Sequence, residues 1–148
     1  MKALIVYDSV YGNTEKIARA IGDALGGDAR VLRTGDVNPA AMESLDLLIV
    51  GAPTYAGRPT PVMKEFIKNL SKSAVEGVNV AGFDTRLKTK VLGLFGYAAG
   101  KIAKSLIKMG GKEIIPAEGF FVNGTEGPLD DSEIERAGKW SKDIAKSI

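Results

Sequence analysis

The sequence predicts an α/β protein, a doubly wound parallel sheet covered by helices on both faces. Three observations carry that prediction. Ala3-Leu4-Ile5-Val6-Tyr7 and Leu47-Leu48-Ile49-Val50 are apolar at every position, as expected of strands buried on both faces. Short β-branched runs alternate with stretches of helical periodicity from one end to the other. Parallel neighbours need crossover connections, and the intervening helical stretches supply them.

In chain order, residues 3–7 form the first strand. A helix is expected over 14–25, with Ile17, Ile21, Ala24 and Leu25 on one stripe. Gly26-Gly27 ends it, as glycine does where a helix terminus needs positive φ. Arg30-Val31-Leu32-Arg33 reads as a short second strand at an edge, given its flanking charges. The third strand, 47–50, is closed by Gly51-Ala52-Pro53. The next helix starts near Pro61, a residue suited to a first helical turn, and should turn Val62, Phe66 and Leu70 inward. Two runs, 78–83 and 91–95, then compete for a single strand position. A helix over 99–109 should bury Ile102, Ala103, Leu106 and Ile107. Lys112-Glu113-Ile114-Ile115 starts a further strand that resumes through 119–122. The last helix begins at about Asp131 and should turn Ile134, Ala137, Trp140 or Ser141, and Ile144 inward. Asp130, Asp131 and Glu133 sit where its N-terminus favours negative charge. With no repeat, low-complexity stretch or linker, residues 1–148 read as one domain.

Composition narrows the chemistry. Among 148 residues, 45% are apolar and 26% charged, and none is His or Cys. That removes an imidazole base, a thiolate nucleophile, a zinc site and a thiolate iron–sulfur cluster. Redox or nucleophilic chemistry must then come from a bound cofactor, or from Asp, Glu, Ser, Thr, Tyr or Lys. No stretch approaches the ~20 apolar residues of a membrane span. The opening apolar run is too short for a signal peptide and Asp8 interrupts it, and with no Cys for oxidation to use a cytoplasmic location is expected. The formal charge of +2 hides a segregation. Residues 58–112 hold eleven Lys/Arg against Glu65, Glu76 and Asp84, and 113–135 hold seven acids and no Lys/Arg. Solvated helix faces account for this, and the basic residues lack the interleaved aromatics of a nucleic-acid surface.

In doubly wound sheets ligands bind beyond the carboxyl ends of the strands. The loop after the first strand, Ser9-Val10-Tyr11-Gly12-Asn13-Thr14, leads straight into a helix. Ser9, Asn13 and Thr14 offer neutral donors to an anion, Gly12 permits a tight turn, and the helix start adds unpaired amides. Neither a P-loop lysine nor GxGxxG is present, and an ordinary capped turn is the competing reading. After the third strand, Pro53-Thr54-Tyr55-Ala56-Gly57 with Arg58 offers a hydroxyl and an aromatic ring to a planar ligand, although taken alone it reads better as a rigid Pro/Gly loop whose Tyr55 covers the sheet end. After the fourth, the candidates are Asp84-Thr85-Arg86 or Gly96-Tyr97. The topology brings the three loops together, one suited to a phosphate and two to a flat ring. A phosphoryl-signalling site needs paired acids, but Asp8 stands alone; a metal site built on Asp8, Asp36 and Asp84 is disfavoured by the phosphate-loop context. Trp140 and Phe120-Phe121 are expected in packing rather than in a cofactor site.

On these residues the chain resembles the flavodoxin family over nearly its whole length. Residues 4–18, LIVYDSVYGNTEKIA, follow the family's strand, Ser/Thr-x-x-Gly-x-Thr phosphate loop and helix. Gly51-Ala52-Pro53-Thr54-Tyr55 is similar to its second flavin loop, and 83–86 and 118–129 to single-domain members. The resemblance implies five strands in the order 2-1-3-4-5 and non-covalently bound FMN. It makes 78–83 the fourth strand and the run around 91–95 part of an apolar connection near the flavin. By position, Ser9, Val10, Tyr11, Gly12, Asn13 and Thr14 would hold the phosphate. Pro53, Thr54, Tyr55, Ala56 and Gly57, with Asp84, Thr85 and Arg86, would border the ring, Tyr55 stacking on it and Tyr97 in reserve. A peptide next to Gly57 is expected to reorient toward the reduced ring. The function so implied is low-potential electron transfer, one electron at a time, between redox partner proteins, with no catalytic residue or metal of the chain's own. The alternative is an FMN-dependent NAD(P)H:quinone-type oxidoreductase. Many electron-carrying members are strongly acidic and this chain is slightly basic; if the basic excess of 58–112 surrounds the flavin edge, its reductase and acceptor are expected to present acidic surfaces. A monomer or weak dimer is expected.

Overall fold

The computed structural model describes residues 1–88 and 97–148. Among these residues six strands form one parallel sheet: β1 (Ala3–Tyr7), β2 (Arg30–Arg33), β3 (Leu47–Pro53), β4 (Asn79–Leu87), β5 (Lys112–Glu113) and β6 (Glu118–Val122). The order is β2-β1-β3-β4, and β5 and β6 share the fifth position. β5 pairs with Asn79 and Val80, and β6 pairs with 83–87, so the last strand is interrupted beside the middle of β4. The predicted order 2-1-3-4-5 holds, with the fifth place taken in two pieces.

Alternation along the buried strands divides the core between two helical layers. Leu4, Val6, Leu48, Val50 and Val80 face one side, where Met63 of α2 (Pro61–Lys68) and Ile102 and Leu106 of α4 (Ala98–Lys108) cover them. Ile5, Tyr7, Ile49 and Phe83 face the other, under Ile17 and Ile21 of α1 (Asn13–Leu25) and Ala137, Trp140 and Ile144 of α5 (Glu133–Lys146). Phe83, Phe120 and Trp140 meet there edge to face, with ring centroids 6.0–6.3 Å apart. This bears out the packing expectation for Trp140 and Phe120, and Phe121 is only half-buried.

Several expectations need correcting. Val62, Ile107 and Ile134 are not inward; they are 55%, 44% and 48% exposed. In each case the next residue around the helix, Met63, Leu106 or Glu133, takes the buried place. A stripe drawn at four-residue spacing tolerates an error of one position, about 100° of rotation. The fourth strand runs to Leu87, well past 83, because its end is paired on both sides, by β3 and by β6. Two 3-10 turns (Thr34–Asp36, Pro39–Met42) and the short α3 (Lys72–Val75) are too brief to show a period in the sequence. The run at 91–95 lies outside the described residues. Among the described residues no helix is long and apolar enough to cross a membrane.

The start of α5 is tied to β6 by a carboxylate. Glu133 is buried, and accepts from the Phe121 amide at 2.7 Å and from Arg136 Nε and Nη2 at 2.9 and 2.7 Å. Arg136 also pairs with Glu118 at 3.1 Å and lies over the Phe120 ring. Burial alone would raise the Glu133 carboxyl, but the bonds from Arg136 and Phe121 outweigh it and hold its pKa below the usual value. A depressed carboxylate stabilises the fold above its unfolded pKa of roughly 4.3, and that stability is lost as pH falls through the folded value. Glu133→Gln is therefore expected to cost about 2 kcal/mol at pH 7 and progressively less as pH falls below roughly 4.3, read from denaturant midpoints of the two proteins across that range.

Candidate functional site

Beyond Tyr7 the chain turns through Ser9, Val10, Tyr11 and Gly12 into α1. Gly12 takes φ +94°, a conformation that disfavours other residues, and its amide donates to Ser9 Oγ at 3.0 Å. The N-cap residue is Gly12, and among the described residues no side chain caps α1. Its first-turn amides, at Asn13, Thr14 and Glu15, therefore lack the usual side-chain acceptor at a terminus that attracts negative charge. Val10 and Tyr11 are half-exposed over the loop, and Asn13 and Thr14 are buried behind it.

The side chains expected to hold an anion have structural bonds as well. Asn13 Nδ2 donates to the Glu126 carbonyl at 3.1 Å, and Thr14 Oγ1 shares a 2.8 Å hydrogen bond with Thr85 Oγ1. Arg33, which sequence reasoning passed over, supports the loop from behind. Its Nη1 donates to the Ser9 carbonyl at 2.9 Å and lies 3.7 Å from Asp8 Oδ1, and Nη2 lies 3.5 Å from Glu15.

The second loop is a tight turn. Tyr55 and Arg58 exchange two backbone hydrogen bonds of 2.8 Å, and Ala56 and Gly57 between them both have positive φ, +47° and +78°. Both signs are those of a type I′ turn, in which glycine is at ease and alanine is strained by roughly 1 kcal/mol. The turn lifts Tyr55 to the surface, 40% exposed, and Pro53 and Thr54 lie half-buried at its base.

The sequence reading places Asp84, Thr85 and Arg86 in a loop after the fourth strand, and the structure corrects this. They continue β4, in register with Ala52 and Pro53 of β3 and with Gly119, Phe120 and Phe121 of β6. Asp84 has no exposed surface and is chelated by Arg86: Nε to Oδ1 at 2.7 Å, Nη2 to Oδ2 at 2.8 Å. The same Oδ2 accepts the Ala99 amide at 2.9 Å, and Thr54 Oγ1 accepts the Ala98 amide at 3.0 Å. Two strands thus cap the first turn of α4 with side chains. The ring of Tyr97, the residue before α4, lies 3.5 Å from the Arg86 guanidinium carbon.

These three segments surround a cavity of about 180 Å³. Its wall takes Ser9, Val10, Tyr11, Asn13 and Thr14 from the first segment, 53–56 from the second, and Thr85 and Arg86 from the third. Gly12, Gly57 and Asp84 stand outside the wall. Leu87, the start of the apolar 87–95 connection expected either to wall such a pocket or to pack on the domain, is in it, and Val122 and Thr125, not among the expected site residues, complete it. Arg86 is the one charged residue in that wall among the described residues. A larger groove, about 1370 Å³, lies between the 3-10 turns and α2–α3, and it contains none of the expected site residues. No cluster of acids able to hold a metal occurs among the described residues.

Comparison with known proteins agrees with this geometry. A family described as "Flavodoxin domain" matches residues 4–115. This chain belongs to the flavodoxin family. The flavodoxin of Klebsiella pneumoniae is 28% identical over 166 aligned positions, covering 97% of this chain and 93% of that one. An uncharacterised protein of Methanocaldococcus jannaschii is 38% identical over 74 residues, a match that spans about half of each chain, 49% and 48%. The structure of a flavodoxin from the domain Archaea superposes with a TM-score of 0.83 at 25% identity, over 99% of this chain and 97% of that one. Flavodoxin-family membership implies a flavin cofactor and an electron-transfer role.

In this flavodoxin-family chain the edge carrying the cavity is braced by Asp8 and Thr60. Thr60 Oγ1 donates to Asp8 Oδ2 at 2.5 Å and accepts the Met63 amide at 3.2 Å, capping α2. Thr60→Val keeps the shape, removes the cap and leaves a buried carboxylate without that donor. A loss of about 2 kcal/mol is expected in chemical denaturation at neutral pH.

Proposed function

We propose that residues 1–148 act as a single FMN-binding domain in the cytoplasm that carries low-potential electrons, one at a time, between redox partner proteins. One observation carries the reading: the side-chain-uncapped start of α1 and the exposed Tyr55 turn open onto the same cavity. FMN joins a phosphate dianion to a planar ring, and these residues fit both parts. The α1 amides and the Ser9 hydroxyl would hold the phosphate, Tyr11 and Tyr55 would flank the opening, and Thr85 and Arg86 would border the ring.

When bound, FMN supplies the electron-accepting chemistry that a chain without Cys or His lacks. The protein's share is positioning. Thr54 and Asp84 fix α4 beside the site, and the Thr14–Thr85 hydrogen bond joins the phosphate loop to the ring wall. The strained Ala56 φ favours a turn with a second available peptide orientation, which suits the expected movement beside Gly57.

The charge pattern supports acidic partners. Lys64, Lys68, Lys72, Lys101, Lys104 and Lys108 are exposed on α2, α3 and α4, and Arg58 is exposed at the Tyr55 turn. Among the described residues the exposed lysines therefore lie mostly on one helical layer rather than around the cavity, so an acidic partner would meet that layer. Association with an acidic partner is expected to slow with added salt.

FMN injected onto the apoprotein is expected to bind one-to-one by calorimetry, and the complex to be yellow. A redox titration is expected to resolve two one-electron steps. No heat and no colour would remove the cofactor assignment, and a single two-electron step would remove one-at-a-time transfer. Turnover of NADPH with a quinone by the isolated protein would replace the carrier reading with a reductase.

A further inference from the structure

The cavity wall holds one charged side chain among the described residues, and that charge is already answered. Arg86 spends Nε and Nη2 on Asp84, at 2.7 and 2.8 Å, and lies against the Tyr97 ring. Its side chain is 16% exposed, whereas that of Asp84 is 0% exposed. Gly119 provides the seat. A Cβ at that position would fall 2.1 Å from Arg86 Nε, so a larger residue would push the guanidinium off its partner. The guanidinium is thus held from three directions: by the carboxylate, by the aromatic face and by bare backbone.

Such a pair places a cation at the cavity with its compensating anion directly behind it. We propose that the Asp84–Arg86 pair sets the reduction potential of the bound flavin by presenting a compensated charge to the ring. This rests on the FMN reading above and names the residues that tune it. Two-electron reduction at neutral pH adds two electrons and one proton, FMN + 2 e⁻ + H⁺ → FMNH⁻, with dithionite as the reductant in a titration. The ring therefore gains one negative charge, and the net charge of the adjacent wall decides how readily it does so. With Asp84 ionised and chelated, the pair contributes a dipole rather than a full charge. Without the carboxylate, an uncompensated Arg86 would stabilise the reduced ring; without the guanidinium, a buried Asp84 would oppose it.

The two halves of the pair therefore have opposite signatures. Asp84→Asn still offers an oxygen to the Ala99 amide and is expected to raise the midpoint potential. Arg86→Gln is expected to lower it. Each is expected to change the ratio of affinities for reduced and oxidised FMN about tenfold, which for a two-electron couple is about 30 mV. The double variant is expected to return toward the parent value, and Arg86→Lys, which keeps the charge, to stay near it. The measurements are dithionite titrations of the FMN complexes, together with calorimetric affinities for oxidised FMN and denaturant midpoints of the apoproteins.

A purely structural pair would lower apoprotein stability in both single variants and leave the potentials where they were. Unmoved potentials, shifts of the same sign, or Arg86→Lys behaving as Arg86→Gln would each overturn the proposal. If Asp84→Asn does not fold, the contrast between Arg86→Gln and Arg86→Lys decides it alone. FMN binding with unmoved potentials rejects this inference and leaves the cofactor assignment standing, and failure of the parent protein to bind FMN rejects both.

Discussion

The Asp84 carboxylate has no exposed surface, and its desolvation is tolerable because three N–H groups meet it: two from Arg86 and the amide of Ala99. Removing one partner of such a pair typically costs several kcal/mol, since the other charge stays buried without compensation. The geometry at the carboxyl edge follows from keeping those donors in place. α4 must begin where Ala99 can reach β4, and Thr54 at the end of β3 caps the same turn one residue earlier. Asp8, at the end of β1, receives Thr60 and so fixes the start of α2 in a comparable way. The ends of three adjacent strands are thereby bound to the beginnings of two helices through polar side chains rather than through the apolar core.

The helical layers differ in what they show to solvent. α2, α3 and α4 expose six lysines, and three acids of the C-terminal third are engaged internally. Glu118 and Glu133 meet Arg136, and Asp130 meets Lys88 at 2.6 Å. Exposed lysines on one face produce a field that acts over about a Debye length, ~8 Å at physiological salt, so that face differs from the α1/α5 side in long-range attraction. The core is shared between the layers, but the electrostatic character is not.

Much of this architecture is legible in the residues. Runs that are apolar at every position, such as 3–7 and 47–50, can be little other than strands covered on both sides, and alternation with helical periods forces the parallel order. The phosphate loop is legible because its spacing sits between a strand and a helix start. Helix rotation is less so: Val62, Ile107 and Ile134 fit an apolar stripe yet face water, because one position of error still leaves an apolar residue on the stripe. The I′ turn at 55–58 carries Ala-Gly where the usual signal is Asn-Gly or Asp-Gly, so nothing local announced it. Leu87 and Val122 reach the cavity through their pairing with each other, and Thr125 through the turn after β6, which no local pattern encodes. The Asp84–Arg86 pair did leave a trace. Residues two apart on a strand share a face, so opposite charges at that spacing inside an otherwise buried strand are placed to pair.

The break in the last strand has a bearing on how this chain can vary in length. β5 is registered on the first residues of β4 and β6 on its final ones, and the two segments place no demand on each other. Extra residues spliced between Ile115 and Glu118 would loop outward from the sheet margin while both ladders kept their partners. That seam is where the architecture tolerates growth, since an insertion there leaves the ligand-facing end of the sheet unmoved.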